Sequence, residues 1–149
     1  MSDWVNTFKG AVLASEYDSA SHMNSRMYVS RFDQATWGLL HAIGITPNSI
    51  REKNLRIAIV RQNYQFLDEL RGGELVTIKS GFLAVGEKYF RFLHQMYNDV
   101  SGKMVATSDC VAVQASLDEG KSVALSGELR DRAQAHLVSA NVPLSAELG

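Results

Sequence analysis

Ser25-Arg26-Met27-Tyr28-Val29-Ser30-Arg31-Phe32-Asp33-Gln34-Ala35-Thr36-Trp37-Gly38-Leu39-Leu40-His41-Ala42-Ile43 is the stretch on which the fold turns. Tyr28, Phe32, Ala35, Leu39 and Ala42 recur at helical spacing, and Val29, Thr36, Leu40 and Ile43 widen that stripe. A stripe this broad belongs to a helix sunk deep into its partner surface. Gly44 ends the helix, Pro47 is expected to prevent its resumption, and residues 48–54 read as a polar loop.

On either side of this helix the pattern is extended. Phe8 to Glu16 reads as a first strand. Leu55 to Leu67, Leu75 to Ala84, Lys88 to Asn98 and Lys103 to Ser116 are rich in Val, Ile, Tyr and Phe. Gly72-Gly73, Gly86-Glu87 and the Asp99 to Gly102 segment supply turns, and such short connections imply antiparallel neighbours. A last helix is expected from Ser126 to about Ala140. One sheet must therefore bury one unusually apolar helix, and the simplest solution is an α+β arrangement with an antiparallel sheet curled around it.

The 149 residues, of which 46% are hydrophobic, are enough for one domain with a substantial core, so residues 1–149 read as a single unit. With 15 basic and 16 acidic residues and no long basic run, nucleic acid is not an expected partner. No apolar run reaches the length of a membrane helix, and Met1-Ser2-Asp3-Trp4 lacks the pattern of a signal peptide, so the expected setting is cytoplasmic. The single Cys110 excludes an internal disulfide and a multi-cysteine zinc site, and His41, His94 and His136 have no spacing that suggests a shared metal.

The chemistry concentrates just ahead of the helix. In Tyr17-Asp18-Ser19-Ala20-Ser21-His22-Met23-Asn24-Ser25 an acid, an imidazole and a carboxamide fall within seven residues. This sets a carboxylate beside a helix N-terminus, where free backbone N–H groups and the positive dipole end can polarise a carbonyl. A carboxylate facing a polarised carbonyl is the minimum equipment for acyl transfer. Each residue also has a plainer reading: Asn24 as helix N-cap, His22 as a turn hydrogen-bonder, Asp18 as a turn or capping acid.

The order strand, long helix, four strands, helix resembles the hotdog-fold thioesterases. The pattern Asp18-x-x-x-His22-Met23-Asn24-x-x-x-Tyr28 resembles the signature of the 4-hydroxybenzoyl-CoA-thioesterase-like proteins. Phe32-Asp33-Gln34-Ala35-Thr36 and Leu39 to Ile45 also look like that family's central helix, most of all in acyl-CoA thioester hydrolases, including the betainyl-CoA type. Where the family usually has Gly before the His, this chain has Ser21.

The resemblance implies an enzyme that hydrolyses an acyl-CoA thioester to free acid and CoA. It implies Asp18 as nucleophile or as general base, the backbone N–H of Ser25 as oxyanion donor, and His22 and Asn24 as orienting groups. Asp33 is the rival acid, eight residues past Ser25 on the helix. No metal and no cofactor is implied beyond the coenzyme A that the substrate carries. Similar proteins pair their sheets edge to edge and place the site at that seam, so a homodimer or homotetramer is implied. A non-catalytic acyl-thioester-binding protein on the same scaffold is the alternative, and a dehydratase using His22 as base is a third reading. Arg56, Arg61, Lys88 and Arg91 are candidates for the coenzyme A phosphates, against a solvated sheet face for each.

Overall fold

A computed structural model describes residues 3–16 and 23–140 of the chain. Its elements are β1 (Val5–Ala11), α1 (Ser25–Ala42), α2 (Pro47–Lys53), β2 (Leu55–Phe66), β3 (Leu75–Val85), β4 (Tyr89–Asn98), β5 (Met104–Ser116) and α3 (Gly127–Gln134). All strand pairs are antiparallel, and the sheet order is β1-β3-β4-β5-β2. This is the expected α+β hotdog architecture, with one long helix packed on one face of a five-stranded sheet.

The apolar stripe of α1 divides its packing into two clusters. Tyr28, Phe32 and Ala35 meet Val76, Ile78, Met96 and Ala106. Leu39, Leu40 and Ile43 meet Phe82, Phe90, Phe92 and Ala112. Between them runs a buried polar chain. Thr36 Oγ1 donates to the Phe32 carbonyl at 3.1 Å and lies 2.9 Å from His94 Nε2, while His94 Nδ1 meets Ser80 Oγ, which in turn meets Thr7 Oγ1 at 2.8 Å. The chain ties α1, β4, β3 and β1 together where apolar contact alone would not fix their relative rotation. Gly38 allows the helix to approach β1 here, since a Cβ at that position would stand 2.8 Å from the Thr7 carbonyl oxygen.

Four expectations are corrected. β1 is Val5–Ala11 rather than Phe8 to Glu16. Ala14–Glu16 turns as a short 3-10 segment because Glu16 Oε1 accepts from the Leu13 N–H at 2.7 Å. Residues 48–54 are mostly not a loop. Thr46 caps a new helix, Pro47 occupies its first turn, where a missing N–H is harmless, and Ser49 completes a capping box. β2 and β3 are joined through Gly72-Gly73 but are not neighbours, since β2 pairs with β5 and leaves β3 to β1. Finally, α3 stops at Gln134 because His136 and Val138 hydrogen-bond the backbone of Phe82, drawing the chain out into a bridge beside β3.

Candidate active site

Asp18, Ser21 and His22 lie outside the described residues. The two ends of their segment are fixed. The Asn24 N–H donates to the Glu16 carbonyl at 3.2 Å, and the Met23 N–H to the Leu70 carbonyl at 2.9 Å. Glu16 is itself held by Arg31, 2.5 Å away on the second turn of α1, with both side chains largely buried and the guanidinium stacked over the Phe8 ring. Residues 16 and 23 are thus anchored to β1, α1 and the loop after β2.

Asn24 caps α1. Its backbone is extended and its Oδ1 accepts from the Met27 N–H at 3.3 Å. The structural reading of Asn24 is therefore satisfied. Ser25 opens the helix and is exposed. Among the described residues no acceptor reaches the Ser25 or Arg26 N–H, so both donors at the positive end of the helix stay open there.

A pocket of about 360 Å³ adjoins this helix end, lined by Met23, Ser25, Tyr28, Phe66, Leu67, Asp68 and Glu69. Tyr28 builds its wall. The ring is buried in the core, as expected, but the hydroxyl donates to the Asp68 carbonyl at 3.2 Å and accepts from the Leu70 N–H at 3.1 Å. Burial pushes the Tyr28 hydroxyl above its ordinary pKa, and the nearby Glu69 and Asp68 charges push the same way against the Leu70 hydrogen bond. It stays protonated and can keep donating. Residues 66–69 were missed in the sequence, where Asp68-Glu69 reads simply as a turn before Gly72-Gly73. Only the pairing of β2 with β5 brings the end of β2 to the start of α1.

Asp33 does not join this group. At about 1.5 Å rise per residue it stands roughly 12 Å along α1 from Ser25. It is exposed, one turn before the half-exposed Trp37, and its charge is felt by the Tyr64 hydroxyl, which burial first of all holds above its usual value. His41 Nδ1–H donates to the Trp37 carbonyl at 2.9 Å, and His94 belongs to the buried polar chain. Of the four basic candidates, Arg91 is spent in a two-pronged ion pair with the buried Asp109, at 3.0 and 2.6 Å. Arg56, Arg61 and Lys88 are exposed. Among the described residues no three His, Cys, Asp or Glu side chains converge as metal ligands would.

Residues 12–133 match the family model described as the thioesterase-like superfamily. A curated relative, the betainyl-CoA thioesterase of Pseudomonas aeruginosa, is 26% identical over 135 residues, which is 91% of this chain and 85% of that protein. Two solved structures share the fold. A Staphylococcus aureus protein in complex with CoA superposes with a TM-score of 0.86 at 15% identity, covering 100% of this chain and 94% of that one. A probable thioesterase from Escherichia coli gives 0.75 at 20% identity, covering 90% and 100%.

Proposed function

The chain belongs to the thioesterase-like superfamily and is a thioester hydrolase, and on that premise we propose that it cleaves an acyl-CoA at the N-terminus of α1. The observation that carries this reading is the helix start: the N–H groups of Ser25 and Arg26, which no acceptor among the described residues claims, stand beside a pocket of about 360 Å³. In this reading the thioester carbonyl oxygen accepts from the Ser25 N–H, and charge developing on that oxygen is met by the helix dipole. Asp18 supplies the carboxylate. As a nucleophile it adds to the carbonyl carbon, expels the coenzyme A thiolate and leaves a mixed anhydride that water then cleaves. As a general base it takes a proton from the water that adds directly. Either way the products are the free acid and coenzyme A, and the thiolate leaves without a strong general acid. His22 and Asn24 hold the loop, the acid or the water in register.

The reading extends to assembly. β2 is a sheet edge, and Val60 and Phe66 along it and Leu67 just past its end are exposed, as is Trp37 on α1. An unpaired edge with apolar side chains favours pairing with a second copy, giving a homodimer or homotetramer with the site at the seam. No helix among the described residues is long and apolar enough to cross a membrane, and the proposed setting is the cytoplasm.

A panel of short, long, branched and aromatic acyl-CoAs, followed by release of free thiol, tests the reading. Turnover of at least one class is expected. No release from any of them would favour a binding protein on the same scaffold.

A further inference from the structure

A second pocket lies at the other end of α1, some 18 residues and roughly 27 Å along the helix axis from Ser25. Its volume is about 330 Å³, within the range that holds small organic ligands. Ile43, Ile45, Ile57 and Leu129 give it an apolar floor. Its lining is basic: Lys53 closes α2, Arg56 is the second residue of β2 and Arg132 comes from α3, against the single carboxylate of Glu128.

The three cations differ in how they are held. Glu128 accepts from Arg132 Nη2 at 2.5 Å, and Arg132 Nη1 reaches the Ile43 carbonyl at 3.5 Å, so this guanidinium is fixed across the end of α1. Gly44 makes room for it. Its φ is +87°, and a Cβ there would fall 2.2 Å from Arg132 Nη1. Among the described residues Lys53 and Arg56 make no ion pair, and both are exposed. The helix α3 begins beside them at its Ser126 cap while α1 and α2 end there, so the helix dipoles offset one another and the attraction for an anion rests on the three side chains. The acyl transfer proposed at Ser25 assigns no role to these groups.

We propose that this pocket binds an amphipathic organic anion, its charged group on Lys53, Arg56 and Arg132 and its less polar body on the isoleucine floor. Two sources carry that chemistry, the phosphorylated nucleotide end of coenzyme A and the free carboxylic acid released by hydrolysis.

Calorimetric titration of the full chain with coenzyme A, with 3′,5′-ADP and with octanoate tests this directly. The Lys53→Gln/Arg56→Gln double variant is compared with Lys103→Gln, an exposed lysine outside the pocket. Circular dichroism verifies the fold of each. Two charge-assisted contacts predict a loss of affinity of roughly tenfold or more in the double variant, growing weaker with salt, and no change in Lys103→Gln. Binding of 3′,5′-ADP identifies the nucleotide end as the ligand, and binding of octanoate alone identifies the carboxylate. No binding of any of the three, or binding that the double variant leaves unchanged, overturns the proposal. The test needs no turnover, so failure to hydrolyse any acyl-CoA would remove the hydrolase reading and leave this one standing.

Discussion

His94 makes the stability of this protein depend on pH in a way that can be worked from its surroundings. The ring is fully buried between Phe32 and Phe92, and its nitrogens meet two hydroxyls, those of Thr36 and Ser80. The Thr36 proton is spent on the Phe32 carbonyl, so Thr36 accepts from Nε2–H and Nδ1 is the acceptor of the neutral ring. No carboxylate faces it among the described partners, and burial holds its pKa down at about 3 against 6.5 for an exposed histidine. The unfolded chain therefore takes up a proton as pH falls through 6.5, while the folded chain does not until about 3. Within that window the unfolded state binds one more proton, and stability falls by about 1.4 kcal/mol per pH unit, or roughly 2.7 kcal/mol by pH 4.5. Carboxylates add their own acid sensitivity, so the assay is differential: urea unfolding of wild type and His94→Gln between pH 7.5 and about pH 4.5. The variant loses packing and is less stable at neutral pH. The gap should close by about 1.4 kcal/mol per unit below pH 6.5. Parallel pH profiles would refute the reasoning, because they would mean that the folded protein admits the proton as readily as water does.

Three further outcomes are expected. Arg91→Ala strands the buried Asp109 carboxylate and should cost about 3 kcal/mol in urea unfolding; a loss under about 1 kcal/mol would mean that water reaches Asp109. Tyr28→Phe leaves the N–H of the fully buried Leu70 without its acceptor, which should cost about 1–3 kcal/mol and raise KM for acyl-CoA by loosening the 68–70 wall; unchanged stability and KM would show that the loop holds without it. Light scattering at micromolar concentration should return at least twice the 16.5 kDa chain mass, and a clean monomer would remove the shared-edge site.

The central helix was legible because a single local property, apolar spacing, decides it. Tyr28, Phe32, Ala35 and Leu39 are buried as their spacing requires, whereas Ala42, the last of the series, is exposed where the helix ends. Strands β2 to β5 were legible to within a residue or two because β-branched and aromatic runs end at glycine turns. Which strand lies beside which was not, since Gly72-Gly73 joins two strands that never touch. That choice is made by the whole sheet closing over α1. Pro47 shows a subtler failure. Its ring bars the continuation of one helix and equally suits the first turn of the next, and Thr46 with Ser49 decides for the latter. At the candidate site Asn24 and Ser25 stand at the helix start as their spacing implies. The wall at residues 66–69 was invisible, because it depends on register between strands remote in sequence. Arg132 over Gly44 was hidden for the same reason, with 87 residues of chain between them.

The carboxylate assignment is where the account is most exposed, and single-turnover thiol release separates its two acids. Enzyme in excess over a competent acyl-CoA is mixed with wild type, Asp18→Asn and Asp33→Asn, each verified as folded by circular dichroism. With Asp18 as nucleophile or base, Asp18→Asn should slow thiol release by at least roughly a hundredfold, while Asp33→Asn, exposed and about 12 Å along the helix from Ser25, stays near the wild-type rate. Full activity in Asp18→Asn together with loss in Asp33→Asn would contradict the account and move the chemistry onto the helix.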